Sequence, residues 1–431
     1  MFENVIEQQT IKLLIDDITA HTLPPSILFS GPEAAGKLTT ALELSRIVSC
    51  TGNAEWSCAC PSCLKQREMT SPDLIIIGQR DTGCEIRAAA HAFLSAKTIP
   101  SRYLFIRSIR KLTARFDARL WEPTETRFLK AAPLLATLDE ELVGFIDATT
   151  KTDSTIDYTK IEKQIDKICA TAEKLQHDCM YESIPIDQVR KVSAWVRLMP
   201  IGKRKTVIIE NADKMQESAR NAFLKILEEP PEYATFILTT ARRAAIIPTI
   251  LSRVRTYAFV DRSFDAEKEV IERVFRAVPP DEKNFGQVSL LQQYLYSFLP
   301  VSEKDIKEAA ALFLENMFER SSAQKKAIPE TLFVSVQTYR KTILPKTGSG
   351  ISEIIKLLQG CKSRTVYRLF LAHVILFLRE GLRAGTLSAK ETETYANFSK
   401  LLHTAQSSVD IFNLSPQAVL ENCAEQMKEV C

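Results

Sequence analysis

A glycine-bounded loop that ends in lysine constrains the fold of this chain more than any other feature. The run "GPEAAGK" at residues 31–37 matches G-x-x-x-x-G-K, the pattern of a phosphate-binding loop. The apolar segment at 26–29 predicts a buried strand before the loop, and Leu38, Leu42 and Ile47 recur at helical spacing after it. Strand, loop and helix in this order predict an α/β domain built to hold a phosphate.

Two further apolar runs, at 206–210 and 234–240, predict buried strands separated by helical segments. This alternation is typical of a parallel sheet with helices on both faces. We place this domain at 1–260. Residues 79–183 differ in character from the rest of it and are interpreted as an insertion.

The C-terminal region shows only helical patterns in the sequence. A chain of 431 residues is too long for a single core, which rarely exceeds about 250 to 300 residues. We therefore expect two helical units, a small one at 261–320 and a larger bundle at 321–431.

The residues that would complete an ATP-hydrolysing site are altered. Leu38 stands where a serine or threonine hydroxyl would ligate Mg²⁺, and Thr39 lies about 100° further round the helix. The second predicted strand ends in Glu210 and Asn211, where an active enzyme carries an acidic pair. An amide cannot accept a proton from water, so we expect no hydrolysis by this chain.

Nucleotide binding is a separate question. Gly31, Gly36 and Lys37 retain the groups that hold phosphates in such a loop. They form a degenerate nucleotide site, together with Thr39, whose occupancy by ATP and Mg²⁺ the sequence leaves open.

A cluster of cysteines follows the loop helix. Cys50, Cys58, Cys60 and Cys63 fall within fourteen residues, and four thiolates suit a structural zinc ion without an open coordination position. Only one residue separates Cys58 from Cys60, so Cys84 is an alternative fourth ligand. The other interpretation is a set of reduced, free thiols.

Composition and charge exclude some classes. A net charge of +3 gives no bulk attraction to nucleic acid. The N-terminus lacks a secretory signal and no run approaches the 18 or more apolar residues of a membrane span, so we expect a cytoplasmic protein. Basic and aromatic residues alternate over 102–121; we interpret them as an amphipathic element with a solvated basic side, the alternative being a face that binds DNA.

The segment "NAFLKILEEPPEYATFILTT" followed by "IIPTILSRVRTYAF" is the most specific text in the chain. It closely resembles the clamp-loader family of the AAA+ proteins, whose "LLKxLEEPP" run precedes a sensor strand and an S-R-C motif. The resemblance covers residues 1–78 and 184–260 well, the helical C-terminal region only in general character and the insertion not at all. Within the family it points to the non-hydrolysing stator type, and it implies a helical lid at 261–320 and a helical collar, or oligomerisation domain, at 321–431.

The resemblance implies roles for individual residues. Arg253 would be an arginine finger, supplied in trans to ATP held by a neighbouring subunit, and Val254 replaces the cysteine of the family motif. Thr239 or Thr240 would occupy the sensor position, although either residue is also ordinary for a strand.

The resemblance also implies partners: the other clamp-loader subunits (the gamma/tau motor and delta), the sliding clamp and primer-template DNA. One alternative is an ATP-hydrolysing motor of the gamma/tau kind that uses Lys37 with Thr39 as metal ligand. A second alternative is a zinc-bearing DNA-binding protein that acts through residues 79–183.

Overall fold

The computed structural model describes residues 1–150, 157–280, 288–323, 336, 351–359, 363–383, 389–410, 412 and 414–430. The chain divides into two compact units, Met1–Phe298 and Leu299–Cys431, and each unit is described by itself. The domain boundaries expected at 260 and 320 stay predictions.

A five-stranded parallel sheet forms the centre of the first unit and confirms the predicted α/β class. Its strands, in the order β2-β3-β4-β1-β5, are β1 (Ser26–Ser30), β2 (Leu74–Ile77), β3 (Lys205–Ile209), β4 (Ala234–Thr240) and β5 (Arg255–Ala258). Strand β1 pairs with both β4 and β5, so that Ile27 lies between Ile237 and Arg255. The carboxyl ends of parallel strands lie at one edge of the sheet, where ligands of such folds bind.

Helices cover both faces of this sheet. Leu28, Ile75 and Val207 belong to one apolar cluster, while Phe29 and Ile76 belong to another, because successive side chains of a strand point to opposite faces. Strands β1 to β4 are buried along their whole length for the same reason. The helices of the first unit are α1 (Thr10–Thr19), α2 (Lys37–Ser49), α3 (Pro61–Arg67), α4 (Gly83–Ala96), α5 (Ile99–Thr113), α6 (Thr126–Thr150), α7 (Tyr158–Cys179), α8 (Ile186–Val196), α9 (Glu217–Glu228), α10 (Pro248–Leu251), α11 (Phe264–Val274) and α12 (Leu290–Tyr296).

The segment 79–183, interpreted from sequence as an insertion, packs on one face of the sheet. Its helices α4 to α7 share a single core with that face, including Phe105, Phe116, Trp121 and Phe145. The aromatic residues of 102–121 are therefore mostly core residues, and only the partly exposed Tyr103 is an exception.

The basic residues of 102–121 are bonded inward, not solvated as expected. Arg102, Arg110 and Arg119 each donate to a main-chain carbonyl of another segment, at 2.8, 2.6 and 2.5 Å. A guanidinium can serve this purpose because it carries five donors in a planar fork. These arginines join helix α5 and the turn after it to neighbouring segments.

The second unit, in the residues that the structure describes, consists of helices without a strand. They are α13 (Glu303–Ala323), α14 (Ile351–Leu357), α15 (Arg364–Arg383), α16 (Ala389–Asp410) and α17 (Pro416–Val430). Phe313, Tyr367, Phe370, Phe398 and Leu402 lie at their common core. No described helix has both the length and the apolar character needed to cross a membrane.

Candidate functional site

The phosphate loop has the backbone shape that its glycines predict. Gly31 has φ 151° and Gly36 has φ 91°, conformations that side chains rarely adopt. A Cβ atom at Gly31 would lie 2.2 Å from the carbonyl oxygen of Phe259, so only glycine fits between β1 and the end of β5. The loop lies at the carboxyl end of β1, and α2 begins at Lys37.

Two basic side chains, Lys37 and Arg262, donate to carbonyl groups of this loop. The Lys37 ammonium donates to the carbonyl oxygens of Gly31 (2.6 Å) and Pro32, and burial lowers the pKa of Lys37 to about 8. Arg262 donates from Nη1 to the carbonyl oxygen of Ala34 at 2.5 Å. Its Nη2 atom would lie 2.6 Å from a Cβ atom at Gly36, so this guanidinium sits directly against the loop.

Position 38, where a serine or threonine hydroxyl would ligate a metal ion, is occupied by leucine. The Leu38 side chain is buried in the same apolar cluster as Ala35 and Leu42. Thr39 is half-buried on the next position of α2, and Thr40 donates its hydroxyl to the carbonyl oxygen of Gly36 at 3.0 Å.

Glu210, which follows β3, is held by two arginines. Arg115 donates from Nη2 to one carboxylate oxygen, and Arg80 donates from Nη1 to the other at 3.2 Å. The Arg115 and Glu210 side chains are 3% and 7% exposed. Both oxygens that would face a metal therefore already have a charged donor within the chain.

Two more residues extend these contacts into what we call the Glu210 network, formed by Arg80, Glu85, Lys111, Arg115 and Glu210. Glu85 on α4 pairs with Arg80 at 2.8 Å and with Lys111 on α5. Although burial alone would raise it, Lys111 and Arg80 hold the pKa of the Glu85 carboxyl at about 2. The network thus joins the carboxyl end of the sheet to α4 and α5.

The residues beside Glu210 also form hydrogen bonds within the chain. Asn211 has φ 53° and donates its side-chain amide to the carbonyl oxygen of Gln79 at 2.5 Å. Thr239 accepts the Asn211 backbone N–H at 3.3 Å, and Thr240 donates to Asp213 at 2.8 Å. Asp213 lies in a single 3₁₀ turn and also pairs with Arg242.

Arg253 lies outside this buried site, just after the short helix α10. Its Nη1 atom donates to the carbonyl oxygen of Thr249 (2.8 Å) and contacts the Ser252 hydroxyl at 3.3 Å. Its Nη2 atom donates to Glu228 at 2.8 Å. About a third of the Arg253 side chain is exposed, so its charge faces solvent in this chain.

The four clustered cysteines converge. The sulfur atoms of Cys50, Cys58, Cys60 and Cys63 lie within 4.8 Å of one another, with 3.6 Å between Cys50 and Cys58. A tetrahedral ion with metal–sulfur bonds of about 2.3 Å separates its ligands by about 3.8 Å, so this group could bind zinc. Cys84, the alternative ligand, is not part of the group.

The surroundings of these sulfurs suit thiolates. The N–H groups of Gly52 and Ala54 donate to Cys50 Sγ at 3.3 and 3.2 Å, and the buried Arg46 donates to Cys63 Sγ at 3.0 Å. Although burial would raise it, hydrogen bonds from Thr51 and the Cys63 N–H hold the pKa of the Cys60 thiol at about 5, whereas burial raises the pKa of the Cys63 thiol to about 12. Such donors stabilise the charged form that a metal requires.

A parallel sheet with a glycine-lysine loop between β1 and α2 defines the class of the first unit, a P-loop α/β domain. A sequence model of the family described as DNA polymerase III, delta subunit, matches residues 6–128 and 147–263, more than half of the chain. The chain belongs to this family. The match includes all of the expected insertion except residues 129–146, so most of 79–183 is shared with the family.

Individual relatives match over shorter stretches. The DNA polymerase III subunit delta' of Pseudomonas aeruginosa is 39% identical over 71 residues, which are 16% of this chain and 22% of that protein. The gamma/tau subunit of Mycobacterium tuberculosis strain H37Rv is 36% identical over 75 residues, 17% of this chain and 13% of that one. The gamma/tau subunit of Mycoplasma genitalium is 25% identical over 219 residues, 50% of this chain and 34% of that one.

These matches span about a third or less of the length of each relative. Among solved structures, a gamma subunit-related protein of Thermotoga maritima has 22% sequence identity and a TM-score of 0.25, and the match covers 58% of this chain and 80% of that one. Together with the family match, the relatives identify a protein related to the clamp-loader subunits of DNA polymerase III.

Sequence reasoning missed the arginines that occupy the site, Arg80, Arg115 and Arg262. Arg80 follows β2 by three residues, and the carboxyl end of a neighbouring strand was a signal that could have placed it near Glu210. Arg115 was seen only as part of a basic stretch. Nothing local in the sequence marks Arg262 as a partner of the loop.

Proposed function

We propose that this chain is a delta-prime-like stator subunit of the DNA polymerase III clamp loader. It does not hydrolyse ATP itself, supplies Arg253 in trans to the ATP of a neighbouring motor subunit, and helps to load the sliding clamp on primer-template DNA. The observation that carries the proposal is the contrast between a filled nucleotide site and an arginine left at the surface.

The first half of the contrast argues against hydrolysis. Transfer of a phosphoryl group to water needs a metal ion and a group that orients the water. Here Leu38 replaces one metal ligand, the Glu210 carboxylate is bound by Arg115 and Arg80, and Asn211 binds Gln79. Gly31, Gly36 and Lys37 retain the loop, but two of the three Lys37 donors bind the loop's own carbonyls.

The second half concerns Arg253. A finger supplied in trans stabilises the charge that develops on the transferred phosphoryl group and raises the rate about 10³- to 10⁵-fold. Such a residue must reach beyond its own chain, and Arg253 is held only by surface contacts, whereas Arg115 is buried. Thr239, expected at the sensor position, binds Asn211 of its own chain.

The proposal is tested in a reconstituted clamp loader. Arg253→Ala should lower the DNA- and clamp-stimulated ATPase at least about 10-fold while the ring still assembles. Arg190→Ala, which removes an exposed arginine of α8, is the control and should leave the rate unchanged. An Arg253→Ala complex with the full rate of ATP turnover would contradict the proposed role.

The alternative functions make different predictions. A motor of the gamma/tau kind would hydrolyse ATP as the purified chain, and Lys37→Ala would abolish that turnover. A protein that binds DNA through 79–183 would show salt-sensitive DNA binding by the pure chain. The inward bonds of Arg102, Arg110 and Arg119 disfavour this second alternative.

We also propose that Cys50, Cys58, Cys60 and Cys63 hold a structural zinc ion. Zinc would crosslink the end of α2 to α3, which begins directly after Cys60. Four thiolates complete a tetrahedron, so this site would have no open position for catalysis.

The remaining assignments follow from the proposed role. The other partners would be the gamma/tau motor, delta and primer-template DNA, and the location would be the cytoplasm. Residues 261–320 would form a lid and 321–431 a collar that joins the ring.

A further inference from the structure

The side chain of Arg253 is partly exposed, yet contacts within its own chain hold its guanidinium in place. Three groups hold its guanidinium: the carbonyl oxygen of Thr249, the hydroxyl of Ser252 and the carboxylate of Glu228. Thr249 and Ser252 lie within four residues of Arg253 along the chain, so their contacts form with the local turn. Glu228 is 25 residues away, so its contact depends on how α9 packs near α10.

Glu228 stands in an electrostatically unfavourable place. It is the last residue of α9, where the helix dipole is negative and a carboxylate is disfavoured. Its contact with Arg253, 2.8 Å between Oε1 and Nη2, compensates for this position. The neighbouring Glu229 is also exposed and makes no described contact with Arg253.

We propose that Glu228 is a positioning residue for Arg253, holding the guanidinium in the orientation in which it meets the ATP of the adjacent subunit. This inference rests on the proposed function and deepens it. It also assigns a task to the first glutamate of the "LEEPP" run that identified the family.

The geometry allows Arg253 to keep this contact while binding a phosphate. A guanidinium has five N–H donors; Glu228 uses one on Nη2 and the Thr249 carbonyl uses one on Nη1. Two donors, the Nε–H and the second Nη2–H, have no described acceptor and can bind phosphate oxygens. Arg253 can therefore keep its contact with Glu228 and still donate to a phosphate.

We expect the contact between Glu228 and Arg253 to affect the rate of ATP hydrolysis in the assembled loader and not the stability of the fold. A half-exposed ion pair contributes little to folding, but an unheld arginine loses side-chain freedom when it engages the transition state. We expect Glu228→Ala to lower kcat of the reconstituted ATPase about 3- to 10-fold and to leave KM for ATP within about twofold, because the finger acts in the transition state.

The experiment compares Glu228→Ala, Glu228→Gln and Glu229→Ala in the complete reconstituted loader, with Arg253→Ala in the same series. Glu228→Gln keeps an oxygen that accepts from Nη2 and should retain at least half of the rate. Glu229→Ala should match the wild type. In the Arg253→Ala background, Glu228→Ala should have no further effect, since coupled residues are not additive.

Three results would overturn the inference while the proposed function stands. They are a full rate for Glu228→Ala beside a slow Arg253→Ala, an equal loss in Glu228→Ala and Glu229→Ala, and an undiminished effect of Glu228→Ala without Arg253. A full rate for Arg253→Ala would instead remove the proposed function and this inference together.

Discussion

The Glu210 network makes a quantitative prediction about stability through Glu85. The Glu85 carboxylate lies between Arg80 and Lys111, and its side chain is only 12% exposed. Glu85→Gln keeps the shape but removes the charge, leaving three cations in the network against the single carboxylate of Glu210. Breaking a buried pair by removing one partner costs about 3 to 5 kcal/mol.

The pKa of Glu85 leads to a similar magnitude independently. It is about 2 in the folded chain against an ordinary value of 4.5, and each pKa unit corresponds to about 1.4 kcal/mol. The difference is about 3 kcal/mol of unfolding free energy. Because the folded pKa is depressed, this contribution is full above about pH 5 and is lost as pH falls from 4.5 towards 2.

Urea unfolding followed by tryptophan fluorescence measures this effect. The three tryptophans, Trp56, Trp121 and Trp195, all lie in the first unit, so their emission reports the unit that holds the network. At pH 7 we expect Glu85→Gln to lose about 3 kcal/mol, and the difference from wild type should shrink as the pH falls below 4.5.

Glu173→Gln is the control for this experiment. Glu173 pairs with Arg87 in the same segment, but both side chains are about 40% exposed, so the loss should stay below about 1 kcal/mol. A Glu85→Gln loss no larger than that of the control, or one that does not change with pH, would refute the reasoning about the network.

Two further predictions concern the other parts of the chain. The wild type should contain one zinc ion per chain by elemental analysis, Cys58→Ser should lose it, and Cys84→Ser should keep it; retention of zinc by Cys58→Ser would contradict the ligand set. Leu38→Thr should gain no measurable ATP turnover, because Glu210 stays bound by arginine, and should lower stability by about 1 to 3 kcal/mol through a hydroxyl buried in the core.

The parts of the fold that sequence predicted are those set by local pattern. Three of the five strands, β1, β3 and β4, and the phosphate loop follow from short apolar runs and from glycines whose positive φ angles are now observed. The cysteine cluster followed from spacing alone, since a metal site needs its ligands close together. Strands β2 and β5 were missed because each has only four residues and lies at an edge of the sheet, and β5 is also largely exposed.

The occupants of the site could not be predicted in the same way. Arg80, Arg115 and Arg262 are 130, 95 and 228 residues from the groups they bind, so their pairing depends on the completed fold. The basic stretch at 102–121 was misjudged for the same reason. Arginine is usually solvated, and only the tertiary structure shows which arginines donate to main-chain carbonyl groups.

The loop lysine, Lys37, has a structural role that does not depend on ATP hydrolysis. The loop turns its Gly31 and Pro32 carbonyls towards the Lys37 ammonium, and a buried carbonyl without a donor is costly. Lys37 therefore has a structural reason to persist whether or not a nucleotide binds, as Arg115 has one in the carboxylate of Glu210. Buried charges committed to such internal partners cannot serve a second subunit, whereas the partly exposed guanidinium of Arg253 is compatible with the trans role proposed for it.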